Sequence, residues 1–298
     1  MSSEILLVDG ATGTELQARG ASVLDHITSI WSAQVLLEDP DKVVEVHDAY
    51  IEAGADVITV NNYAVTRPLL AREGLDHRFA ELTDCALDLA ERSRDKANRP
   101  VQIAGSMPPL ETSYRPGLVL DDATLLRDYE EMVERLAPRV DILLCETMSC
   151  AREARAAVQA ACGAGLPVWL SWTLQGDRPD QLPSGESLPE AYEAIAEFDL
   201  EATMVNCCGA NFVGRAMPIL ASVSDRRIGG YANAAHVFEA EEGAPIPEPE
   251  DVEKRELDAS AYAAEVRHWI ESGATIVGGC CDTRPAHIRA VREMIDSL

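Results

Sequence analysis

The sequence predicts a single (β/α)8 barrel, an α/β fold occupying residues 1–298 as one domain, and three observations lead to it. Eight short apolar or β-branched runs alternate with eight longer amphipathic stretches, the pattern of βα units around a parallel sheet. A chain of 298 residues is about the length one such barrel needs. An open, doubly wound sheet would want G-x-G-x-x-G in its first βα turn, and DGATGTEL does not provide it.

The elements follow in order. The first strand is ILLVD (5–9), and DKVVEVHDAYIEAGA (41–55) is its helix, with apolar side chains three and four residues apart. DVITVN (56–61) and VQIAGS (101–106) are β-branched strands, followed by the amphipathic stretches HRFAELTDCALDLAERSRDKA (77–97) and DATLLRDYEEMVERLA (122–137). DILLCE (141–146) and VWLSWT (168–173) are apolar runs short enough for buried strands; AREARAAVQAACGAG (151–165) and LPEAYEAIAEF (188–198) come after them. ATMVNC (202–207), RIGGYAN (227–233) and TIVGGC (275–280) complete the eight strands. Their helices are FVGRAMPILASV (212–223), ASAYAAEVRHWIESGA (259–274) and RPAHIRAVREMIDSL (284–298). Two connections are long, QGDRPDQLPSGESL (175–188) and the acidic 234–257, a length typical of lids, binding loops or insertions. No Gly- and Ser-rich linker divides the chain.

Composition limits the function. Hydrophobic residues make up 47% and charged ones 26%, enough for a large core, and no apolar run approaches the ~20 residues of a membrane span. The opening MSSEILLVDGATG has neither a basic n-region nor a cleavage site, so a cytoplasmic location is expected. A net charge of −26 argues against nucleic acid and against an anionic membrane surface as partners. Eight cysteines in such a chain are expected to be thiols.

In a barrel, chemistry gathers where strands end and loops begin. Those positions hold Asp9 and Gly10, Asn61 and Asn62, Ser106, Glu146 and Thr147, Asn206, Cys207 and Cys208, Tyr231 and Asn233, then Cys280 and Cys281. The sixth and eighth strands are separated by one strand, so Cys207 is expected to face Cys280 and Cys281 across the rim. A regular strand would split the vicinal pair between its two faces; Gly278 and Gly279 are expected to bend the backbone and turn both sulfurs to one point. Three thiolates there suit Zn2+ with one position open, since no C-x2-C pairing offers a fourth ligand. Cys208, on the opposite face from Cys207, is left out. Cys85, Cys145, Cys150 and Cys162 read as packing residues.

With these residues placed, the chain resembles the homocysteine S-methyltransferase family over essentially its whole length. The resemblance rests on DGATGTEL (9–16), WSAQVLLEDPDKVVEVHDAYIEAGADVITVNNY (31–63), AGS (104–106), CET (145–147), VNCC (205–208), YAN (231–233) and GGCCDTRPAHI (278–288). It implies a catalytic zinc on Cys207, Cys280 and Cys281, and a homocysteine pocket lined by Asp9, Gly10, Asn61 and Glu146, with Glu146 on the substrate ammonium. The partners implied are homocysteine and a small methyl donor. SMPPLETSYRPG (106–117) departs from the Gly-Pro turn and Tyr-Arg-Gly element of many members, on the side expected for the donor.

A small methyl-onium donor is expected because it leaves as a neutral molecule, S-methylmethionine first, with Trp172 and Tyr114 as aromatic faces and the acidic connection as a cover. A methyl-corrinoid partner, another thiol acceptor, a zinc hydrolase and a redox-sensing protein are the alternatives.

Overall fold

The computed structural model describes residues 4–24, 29–240 and 251–298. Ten strands are present among them: β1 Leu6–Leu7, β2 Val57–Thr59, β3 Gln102–Met107, β4 Ile142–Met148, β5 Val168–Trp172, β6 Ala202–Gly209, β7 Arg227–Asn233, β8 Ala235–Val237, β9 Lys254–Glu256 and β10 Ala274–Gly279. Eight form one parallel sheet in the order β1-β10-β7-β6-β5-β4-β3-β2, and a parallel bridge between Val8 and Val57 joins its two ends into a barrel. β8 and β9 form a separate antiparallel hairpin within the acidic connection; residues 241–250 of that connection lie outside the described residues.

Period-2 alternation sorts the strands' side chains into two layers. Val8, Val57, Ala104, Ile142, Leu144, Trp169, Ala202, Met204 and Ile276 fill the barrel interior. Their sequence neighbours Leu7, Ile58, Ile103, Leu143, Leu170, Val205 and Val277 belong to the larger cluster between sheet and helices. The helices are α1 Thr12–Ala18, α2 Ala33–Glu38, α3 Asp41–Ala53, α4 Arg67–Ala71, α5 Phe79–Lys96, α6 Asp122–Leu136, α7 Ala151–Ala161, α8 Leu188–Glu193, α9 Ala210–Val223, α10 Ala259–Glu271 and α11 Pro285–Asp296. Local chemistry sets several boundaries: Asp121 and Asp258 accept the amides of Thr124 and Ala261, Ser187 and Glu190 form a capping box, and Gly54 closes α3 at φ 106°.

Three differences from the expected elements have physical causes. The stretch expected as helix over 188–198 is α-helical only to Glu193. Beyond it Ile195 and Phe198 make i to i−3 bonds, and Arg226 draws off the carbonyls of Ala196 and Phe198. The short helices α1, α2 and α4 lie in connections too brief to show an apolar period. β6 runs two residues beyond the expected Cys207, through an irregularity that builds the site.

Candidate active site

Strict alternation along β6 would send the wrong cysteine inward. Met204 faces the interior and Val205 the helices, so Asn206 should point in and Cys207 out. The backbone corrects this at Cys207 itself, which takes φ 55° where the pairing of β6 with β7 shifts between Asn206 and Gly209. A bulge of this kind re-aims the next side chain. Cys207 turns toward the barrel mouth and Cys208 joins the outer core, where burial pushes its thiol up to about 12.

The partner pair is placed by a turn. β10 ends at Gly279, and the Thr283 amide bonds the Cys280 carbonyl with Asp282 at φ 64°, a tight turn that swings Cys281 to the same side as Cys280. The Asn233 side chain holds the Cys281 amide at 3.1 Å. The expectation that Gly278 and Gly279 supply the bend is corrected, because neither adopts a left-handed φ. They permit close approach instead. A Cβ at Gly278 would lie 2.9 Å from the Val8 carbonyl oxygen, and one at Gly279 would lie 2.3 Å from Thr283 Oγ1.

The three sulfurs of Cys207, Cys280 and Cys281 consequently lie within 4.8 Å of one another. Cys207 and Cys281 are 3.6 Å apart, and the Tyr114 hydroxyl donates to Cys207 Sγ at 2.9 Å. Hydrogen bonds from Cys280 and Cys281, with Tyr114 adding to them, hold the Cys207 thiol well below its ordinary range, while the same contacts push Cys280 up. Thiols this close cannot all ionise without a cation among them, and an all-sulfur set suits a soft divalent ion. Among the described residues this is the group of His, Cys, Asp and Glu side chains that converges tightly enough to hold a metal.

The cluster opens on a cavity of about 1020 Å3 whose walls include Asp9, Gly10, Asn61 and Glu146. Alternation along β4 turns Glu146 inward. Its two oxygens accept from the Ser106 hydroxyl at 2.5 Å and the Tyr231 hydroxyl at 3.2 Å, so its orientation is fixed from β3 and β7. Burial, with Cys281 adding, raises its carboxyl to about 7. Asp9 is likewise raised to about 7 by burial, but both of its oxygens are engaged by the amide and hydroxyl of Thr59 where β1 meets β2. Gly10 leaves room for Tyr50: a Cβ there would lie 2.7 Å from the Tyr50 ring. Asn61 donates weakly to the Ser32 carbonyl at 3.4 Å.

Other residues of the cavity wall gave less signal in the sequence. Trp31 and Tyr63 pack edge to face with centroids 5.8 Å apart, and both line the cavity. Gly13 of the DGATGTEL stretch makes this possible, since a Cβ there would fall 2.1 Å from the Trp31 ring. Tyr114, at φ 64°, arrives on the loop after β3. Trp172 is a correction: it is fully buried in the layer between sheet and helices, outward by the same alternation that turns Trp169 inward, and presents no face to the cavity. Among the described residues no helix is long and apolar enough to cross a membrane.

The chain is similar to known proteins over nearly its whole length. The family model for homocysteine S-methyltransferase matches residues 6–295. Homocysteine S-methyltransferase of Escherichia coli K12 is 30% identical over 97% of this chain and 94% of its own. Selenocysteine methyltransferase of Astragalus bisulcatus is 28% identical over 98% of this chain and 92% of its own. The metallated form of the Escherichia coli homocysteine methyltransferase MmuM superposes with a TM-score of 0.81 at 26% identity, covering 98% of this chain and 96% of that one. With barrel, cysteine cluster and near-complete family match in agreement, the chain belongs to the homocysteine S-methyltransferase family.

Proposed function

We propose that the protein transfers a methyl group from a small methyl-onium donor to the thiol of homocysteine, using zinc held by Cys207, Cys280 and Cys281. The observation behind this reading is the convergence of three sulfurs within 4.8 Å at the mouth of a cavity that also presents Glu146. Zinc bound there supplies the deprotonation of a free thiol, which at pH 7 is otherwise only a few per cent thiolate. The three cysteines orient the acceptor sulfur from one side. Glu146, steered by Ser106 and Tyr231, receives the ammonium of homocysteine. The acceptor sulfur attacks the methyl carbon in line; the bond from that carbon to the donor heteroatom breaks, its electron pair leaves with the donor as a neutral molecule, and the thiol proton is released.

The positive charge of an onium donor suits the faces of Trp31, Tyr63 and Tyr114, so S-methylmethionine is the donor we favour. A cytoplasmic setting, which keeps these thiols reduced, belongs to the same reading. Hydrolysis fits poorly, because a three-thiolate set makes a bound water less acidic than His or carboxylate ligands do. The test is a donor panel of S-methylmethionine, S-adenosylmethionine and betaine, with homocysteine and zinc-loaded protein, reading methionine by mass. S-methylmethionine is expected to give the highest turnover. Methionine formed only with a methyl-corrinoid protein would overturn the donor assignment, and none under any condition would overturn the activity.

A further inference from the structure

The β8–β9 hairpin places one cation on the wall of the cavity. Ala235, Val237, Val252 and Lys254 line that wall, whereas His236 and Arg255 do not, as alternation of a two-stranded ribbon requires. The hairpin is fixed on both flanks. Val237 exchanges two 3.0 Å hydrogen bonds with the Asn211 side chain, and His287 bonds the Leu257 carbonyl at 3.0 Å just after β9. Gly209 lets Val237 press on the end of β6, since a Cβ there would lie 2.8 Å from its side chain. Lys254, exposed, therefore rides on a held ribbon beside apolar Ala235 and Val237, with Glu256 two residues along on the same face but lining a neighbouring pocket instead.

The charges around it leave a role open. Asp9, Glu111, Glu146 and Asp282 line the same cavity, against two cations, Arg115 and Lys254. Glu111 is paired with Arg72, and Arg115 is already engaged. Lys254 makes no ion pair or hydrogen bond with the described residues, though its charge acts on Asp282 beside Cys281. An α-amino acid entering here would give its ammonium to Glu146 and bring a carboxylate into a cavity rich in carboxylates. That group needs a cation.

We propose, resting on the function given above, that Lys254 binds the α-carboxylate of an amino-acid substrate and so selects amino acids over thiols and onium compounds that lack it. The carboxylate belongs either to homocysteine or to an amino-acid donor, and the arms of one experiment separate them. Zinc-loaded wild type, Lys254→Met and Lys254→Arg are titrated calorimetrically with homocysteine, S-methylmethionine, and their carboxylate-free counterparts 3-aminopropane-1-thiol and (3-aminopropyl)dimethylsulfonium.

Lys254→Met is expected to weaken one of the two amino acids about tenfold, leave its counterpart unchanged, and be largely rescued by Arg. The amino acid affected names the source. Equal loss for an amino acid and its counterpart, no loss for either amino acid, or loss of zinc with affinities retained would each overturn the proposal; the last would mark Lys254 as a support for the Asp282 turn. A wild type that binds amino acids but forms no methionine would count against the functional reading alone.

Discussion

Cys280→Ala is expected to lose its zinc almost completely and to lower methyl transfer by more than about 100-fold, while the barrel stays folded. Changing a residue that merely supports a metal ligand typically costs 10–100-fold, and removal of a ligand should exceed that. Two sulfurs, Cys207 and Cys281, would remain, too few to complete a tetrahedral site with one substrate thiol. The fold should survive because the cysteines lie at the mouth, beyond the layers of Trp169, Met204 and Ile276 that fill the barrel. Metal analysis and far-ultraviolet circular dichroism on the same sample decide it. Full zinc occupancy in the variant would remove Cys280 from the ligand set.

Glu146→Gln is expected to do two things that usually oppose each other. Homocysteine binding should weaken by about 1.5–3 kcal/mol, the range for a hydrogen bond to a charged group, with zinc content unchanged. The metal-free fold should become more stable at pH 8. Burial raises the Glu146 carboxyl from its ordinary 4.5 to about 7, so its contribution to stability is present below pH 4.5 and is lost as pH rises through 7. Removing it relieves a buried charge at pH 8, worth up to about 3 kcal/mol at ~1.36 kcal/mol per pH unit. Denaturant titrations of chelated wild type and variant at pH 5 and pH 8 should show most of the gain at pH 8 and little of it at pH 5. Unaltered homocysteine affinity would shift ammonium recognition to another residue, with Asp9 next in line although Thr59 already occupies both of its oxygens.

The eight βα units were legible because a buried parallel sheet writes its strands as short apolar runs and its helices as amphipathic ones. The cysteine cluster was legible for a different reason: topology brings the ends of β6 and β10 to either side of β7, whatever the local backbone does. How the sulfurs turn inward was not. Alternation favours Cys208 over Cys207, and the outcome depends on a left-handed residue in a bulge, Cys207, that is not a glycine. The glycines that suggested a bend, Gly278 and Gly279, answer to close packing against Val8 and Thr283.

Trp172 misled because an aromatic at a strand end reads the same whether it faces the mouth or the helices; the parity of β5, set by Trp169 inside, decides it. Trp31 and Tyr63 stand inside a stretch that could be recognised, yet their meeting depends on Gly13 in another segment. The β8–β9 hairpin was hidden by composition, since an acidic, proline-rich connection gives little sign of strand pairing.

In the proposed function, the homocysteine sulfur joins three protein sulfurs on one metal ion. Zinc-edge X-ray absorption of the loaded protein, without and with homocysteine, reads this directly by counting sulfur neighbours at about 2.3 Å. Three are predicted for the protein alone and four once homocysteine is added. A count that stays at three in the presence of saturating homocysteine would contradict it.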